Sequence, residues 1–119
     1  MLLVDSVSGA GGAELMVDAW ALDFVLTGSQ KALALPAGLA FAVASPDYIE
    51  QAKRATNRGY YFDILQYDKY AEKNQTPSTS ATTLMYALEA QMEDIGREGI
   101  ERRWERHLQM RDATIEWVQ

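Results

Sequence analysis

The sequence predicts an α/β fold, with strands of a mainly parallel sheet followed by helices, and three observations carry that prediction. From Leu2 to Ala44 the chain runs as short apolar segments broken by Gly, Pro and polar turns, the pattern of buried strands. From Ser45 onward apolar residues recur at three- and four-residue spacing, the helical period. Finally, 48% of the 119 residues are apolar, enough for one small core but with less burial per residue than a full-sized domain achieves. One domain is the most the chain can hold.

In chain order, Leu2-Leu3-Val4 opens directly on a core strand, closed by Asp5. Gly9-Ala10-Gly11-Gly12 reads as a flexible loop and not a phosphate cradle, since it lacks the Gly-x-Gly-x-x-Gly spacing that opens a helix. Ala21–Leu26 and Gly38–Ala44 read as buried strands. The tight polar turn Thr27-Gly28-Ser29-Gln30-Lys31 between these runs projects Lys31 from the edge of a packed sheet. An amine so placed is partly desolvated, which favours its uncharged form and makes it a candidate to form a Schiff base with an aldehyde.

The helices follow. Ser45 can cap the free amides of a first helix, Pro46 fits its first turn, and Asp47 and Glu50 suit its positive end; the helix is expected to stop near Asn57-Arg58-Gly59. Phe62 to Lys73 gives a second, shorter helical pattern, and Asn74–Thr79 is a loop. Leu84, Leu88, Met92 and Ile95 mark a third helix that Gly96 or Gly99 breaks. From Ile100, Trp104, Leu108, Arg111, Ile115 and Val118 fall four and three apart among charged residues, an amphipathic helix whose stripe is exposed unless a partner covers it.

Composition removes several classes of function. A net charge of −6 with no long basic run argues against nucleic acid, and Lys53, Arg54 and Arg58 read as a solvated helix face. No apolar run approaches a membrane span, and Met1–Asp5 has no basic lead-in or cleavage site of a secretory signal. Without cysteine there is neither a disulfide framework nor a thiolate metal site, which suits a reducing, cytoplasmic compartment.

Four segments, taken in order, carry a resemblance that spans nearly the whole chain. They are Leu2-Leu3-Val4-Asp5-Ser6-Val7-Ser8-Gly9, then Asp18-Ala19-Trp20-Ala21-Leu22-Asp23, then Thr27-Gly28-Ser29-Gln30-Lys31-Ala32-Leu33 with Pro36–Ala40, then Gln75-Thr76-Pro77-Ser78-Thr79 followed by Leu84–Leu88. Together they resemble the class V pyridoxal-phosphate-dependent aminotransferases, in particular the alanine–glyoxylate and serine–pyruvate branch. The chain departs from that pattern at Ala37 and Ser80, where the family usually has proline. It also matches only the middle of the much longer family chains. The resemblance therefore implies a fragment of a fold-type-I large domain, with residues 1–99 in the cofactor-binding domain and residues 100–119 leading toward a C-terminal domain.

The resemblance also assigns roles, all written as what it implies. Lys31 would hold pyridoxal 5′-phosphate as a Schiff base and then move a proton between the substrate's Cα and the cofactor. Asp5 would pair with the pyridine nitrogen, since a carboxylate ending a buried strand needs a cationic partner. Val7 matches the position that packs on the ring, and Gln30 the one beside the lysine that contacts the phosphate. Thr79 and Thr76 match positions that reach the phosphate of the neighbouring subunit, which implies a homodimer with shared sites. The implied reaction moves an amino group from alanine or serine to glyoxylate or pyruvate.

Each residue also has a plainer reading. An isolated Lys31 would be a surface lysine, Asp5 a turn or cap, Val7 core, and Gln30 and Thr79 ordinary loop and N-cap residues. His107 reads as solvent-facing, the three tryptophans as core or interface anchors, and Asp18 and Asp23 as strand-edge polarity. Two other functions stay open. A desulfurase or lyase of the same superfamily carries histidine where Gln30 stands and needs a mobile cysteine. A catalytically silent α/β module would only fold or associate.

Overall fold

A computed structural model describes residues 1–119 as three strands followed by four helices, in the order β1 (Leu3–Asp5), β2 (Phe24–Gly28), β3 (Ala40–Ala44), α1 (Pro46–Arg54), α2 (Ile64–Ala71), α3 (Thr82–Glu98) and α4 (Ile100–Val118). The strands form one sheet in the order β1-β2-β3. β1 lies parallel to β2, with Asp5 opposite Leu26, whereas β3 is antiparallel, with Gly28 opposite Ala40. The α/β class stands, and the sheet is mixed where a mainly parallel one was expected. The cause is the β2–β3 connection: a parallel return needs a crossover of about a dozen residues or more, usually through a helix, and Ser29–Leu39 contains none.

Register partners share a face. Leu3, Asp5, Phe24, Leu26, Ala42 and Ala44 therefore lie on one side, and Val4, Val25, Thr27, Phe41 and Val43 on the other. Tyr48 of α1 stacks on Phe24 at 4.8 Å between centroids and covers one end of the first side. Little else is sealed: Leu22 and Val25 are the only buried apolar residues, while Leu3 is 56% and Val43 54% exposed. β1 is thus an exposed strand, contrary to the buried one expected to end at Asp5. Asp23 staples the opposite end of the sheet, accepting from the Leu2 amide (2.6 Å) and from Ser45 Oγ (3.3 Å).

The helix boundaries follow their caps. Ser45 Oγ accepts from Tyr48 N, with Pro46 and Asp47 in the first turn, as expected for α1. That helix stops at Arg54, short of Asn57, because Ala55 is extended and its carbonyl is taken by Arg58 Nη1 (2.7 Å). Asp63 caps α2 and pairs with Arg58 at 3.1 Å, so Phe62 stays outside the helix and Arg58 is not simply solvated. Ala81, not Thr79, stands at the N-cap of α3. Gly99, at φ 85° and ψ 136°, separates α3 from α4 in a conformation that is essentially glycine's alone, whereas Gly96 stays helical. Along α4 the stripe is open over its C-terminal part, with Leu108, Ile115 and Val118 exposed, while Ile100 and Trp104 at its start are half-buried; no helix is long and apolar enough to cross a membrane.

Candidate active site

Because β1 and β2 run parallel, their C-terminal ends meet at one edge of the sheet, the edge at which open α/β sheets receive ligands. Asp5 closes β1 there. The Val7 amide donates to Asp5 Oδ1 at 3.0 Å, which fixes the carboxylate and leaves Oδ2 free to accept from another donor. Val7, Thr27, Gly28, Gln30, Leu39 and Ala40 help to line an open groove of about 360 Å³ at this edge. The Gln30 amide lies over Gly28, where a Cβ would stand 2.8 Å from Gln30 Oε1. Gly28 therefore gives Gln30 its place beside Val7.

Lys31 follows immediately, on a loop that Ser29 pins. Ser29 is fully buried; its Oγ donates to Pro36 O (2.7 Å) and accepts from Leu39 N (3.2 Å), while its backbone bonds Leu39 O and Leu35 N. One side chain thus closes the whole loop across its base. The Lys31 side chain is exposed, and its Nζ joins none of the chain's ion pairs. The partial desolvation expected for it is not met, since its side chain is exposed. Ser29→Ala would leave two backbone groups without partners, at a cost of about 1–3 kcal/mol each. Urea unfolding of the full-length protein should show a lowered midpoint in that variant.

A second set of side chains approaches the same loops from α4. Arg103 is 5% exposed: Nε donates to Gly11 O (3.0 Å), Nη2 to Ala32 O (2.6 Å) and Nη1 to Glu98 Oε2 (2.9 Å). Glu98 also accepts from Arg106 Nε at 2.5 Å. His107 is half-buried rather than solvent-facing, with Nδ1 2.9 Å from Arg103 O and its ring against Gly12. The Gly9–Gly12 segment is correspondingly not a loose loop: its turns are closed by Gly9 N to Ser6 O and by Gly12 N to Gly9 O. Of the tryptophans only Trp104 is inserted, with a buried Nε1 that has no partner, while Trp20 and Trp117 are exposed.

The hydrogen bond from Arg106 is the largest influence on the Glu98 carboxyl; burial opposes it, the Arg103 hydrogen bond adds to it, and the balance holds the group down at about 2 from its ordinary 4.5. Because the folded value is depressed, the stabilisation is complete above pH 4.5 and is lost as pH falls through 2. In urea titrations from pH 5 to 2, the wild type should lose more stability than Glu98→Gln, which has no carboxylate to protonate.

Thr76 and Thr79 lie apart from these residues, in a concavity of about 510 Å³ lined by residues 75–80 that shares no residue with the groove beside Val7. Thr76 Oγ1 donates to Ser78 O at 2.6 Å, and Thr79 is exposed. The structure therefore brings Asp5, Val7, Gln30 and Lys31 to one edge and leaves the two threonines elsewhere. Ser29 and Arg103 went unremarked in the sequence. The signal for Ser29 is a small hydroxyl at the centre of a polar turn; Arg103 gives none.

The family model described as aminotransferase class-V matches residues 1–119. A protein named soluble hydrogenase, small subunit, from Synechococcus sp. is 39% identical over 114 residues, 96% of this chain and 30% of that protein. The serine–glyoxylate aminotransferase of Arabidopsis thaliana is 39% identical over 115 residues, covering 96% of this chain and 29% of that enzyme. Among solved structures, an alanine–glyoxylate aminotransferase from Nostoc sp. superposes with a TM-score of 0.82 at 32% identity, over 90% of this chain and 29% of that one. The chain thus spans about 30% of the length of the relatives it matches. With the family model matched from Met1 to Gln119 and the fold shared with a solved relative, the chain belongs to the class-V aminotransferases, a pyridoxal-phosphate-dependent family.

Proposed function

We propose that the full-length protein carrying this segment is a pyridoxal-phosphate-dependent aminotransferase that moves an amino group from alanine or serine to a small 2-oxo acid such as glyoxylate or pyruvate. One observation carries the reading: a carboxylate with a free oxygen and an unpaired amine lie at the same edge of the sheet, Asp5 at the C-terminal end of one strand and Lys31 just past that of its parallel neighbour. The donor set fits the cofactor, because an amine suits its aldehyde and a carboxylate its protonated ring nitrogen. Relatives named for serine–glyoxylate and alanine–glyoxylate transfer support the substrate class.

In this reading Asp5 would hold the ring nitrogen, Val7 would pack on the ring, and Gln30 would contact the phosphate. Thr76 and Thr79 serve the phosphate of a second subunit, which makes the functional unit a homodimer. Residues 1–99 belong to the cofactor domain, and α4 leads toward a second domain. When bound, the cofactor supplies a sink for the electron pair released as the substrate's Cα–H bond breaks. The Lys31 amine would be the base that takes the proton from Cα. Gln30, standing where desulfurases and lyases of the superfamily carry histidine, favours transfer over those reactions.

The test is incubation of the full-length protein with pyridoxal phosphate, borohydride reduction and peptide mapping. A single adduct on Lys31 is the expected result. No adduct, or label scattered over Lys53, Lys69 and Lys73, would leave a silent α/β module.

A further inference from the structure

We infer that Arg103 is a positioning residue: its single guanidinium ties the loop that leaves Asp5 to the loop that carries Lys31 and so fixes their separation. The bonds to Gly11 O and Ala32 O reach back 92 and 71 residues, from α4 to both loops at once. Ala32 is the residue after Lys31, and Ser29 is pinned two residues before it, so the Lys31 backbone is held on both sides while its side chain stays free. The loops are also in direct contact. A Cβ on Gly12 would stand 2.9 Å from Ala32 Cβ, and one on Gly11 3.2 Å from Leu33 Cδ2.

A guanidinium suits this place because its donors diverge in one plane, one toward each carbonyl and one toward a carboxylate. Burying that charge demands an anion, which Glu98 supplies at 2.9 Å and shares with Arg106 on the solvent side. An ammonium at this position has one nitrogen and cannot span Gly11 O, Ala32 O and Glu98 together. The brace rests on these contacts alone; its importance to Lys31 rests on the cofactor reading above.

The test compares Arg103→Lys and Arg103→Met with wild type in the full-length protein. Backbone hydrogen exchange, measured without cofactor, is followed at Gly12, Ala13, Ala34 and Leu35, whose amides close the turns of the two loops. In both variants exchange should quicken by about tenfold or more at these four amides, the effect of losing one charge-assisted hydrogen bond, while the helices keep their protection. Borohydride-trapped labelling of Lys31 should slow in parallel, more in Arg103→Met than in Arg103→Lys. Unchanged exchange in both loops overturns the proposal. Equal loss of protection along the whole chain, which would mark a general folding role, overturns it too. If wild type takes no label on Lys31 while the loops still loosen in the variants, the cofactor reading falls and the brace is upheld.

Discussion

Lys31→Ala in the full-length protein is expected to lower kcat for transamination by about 10⁴-fold or more, since under the proposed function it removes both the covalent tether and the group that carries the proton. The same substitution should leave folding intact. Lys31 is exposed and unpaired, and exposed substitutions away from special contacts shift stability by only about 0.5 kcal/mol either way. An unchanged melting temperature beside a collapsed rate therefore separates loss of chemistry from loss of structure. The other lysines offer no substitute: Lys53 lies on α1 paired with Glu50, and Lys69 and Lys73 lie on α2 and just after it, none at the strand ends. Adding a small primary amine should restore part of the proton-transfer rate without restoring the borohydride adduct. A variant that keeps a tenth of wild-type activity would return Lys31 to the status of a surface residue.

What the sequence revealed and what it hid divide along range. The start of α1 was legible because Ser45, Pro46 and Asp47 act on amides within one turn, and the α3–α4 break because Gly99 acts on its own backbone. Asp5 and Lys31 stand out from other exposed polar residues only through the resemblance of the segments around them. The direction of β3 was readable in principle from the helix-free Ser29–Leu39 connection, yet its apolar run matches a parallel strand as well as an antiparallel one. Apolar strands imply a closed core and hence buried strand ends, but these residues bury only Leu22 and Val25 among their apolar side chains, so Asp5 and Lys31 are exposed. Arg103 was hidden for a different reason. In a helix rich in arginine and glutamate, nothing local distinguishes the one guanidinium whose acceptors lie 71 and 92 residues earlier.

Asp5→Asn is the sharper probe of the other strand end, because the structure shows why it should spare the fold. Asparagine keeps an Oδ1 that can accept from the Val7 amide, so the turn leaving β1 retains its 3.0 Å bond. What changes is the second position: an oxygen free to accept becomes an NH2 that can only donate. Facing a protonated ring nitrogen, that group offers a donor to a donor and withdraws the negative charge, so the ring's positive form loses its partner. Removing one preorganised electrostatic partner of a reacting group costs about 10²–10³-fold in rate, the loss expected here in transamination. Cofactor capture by Lys31 should survive, since the amine is untouched. Single-turnover absorbance measurements on the full-length variant should therefore show near-normal loading followed by slow proton removal. Equal rates in Asp5→Asn and wild type would mean that the carboxylate caps a turn and does nothing for the ring, and the pairing of the two strand ends would lose its chemical meaning.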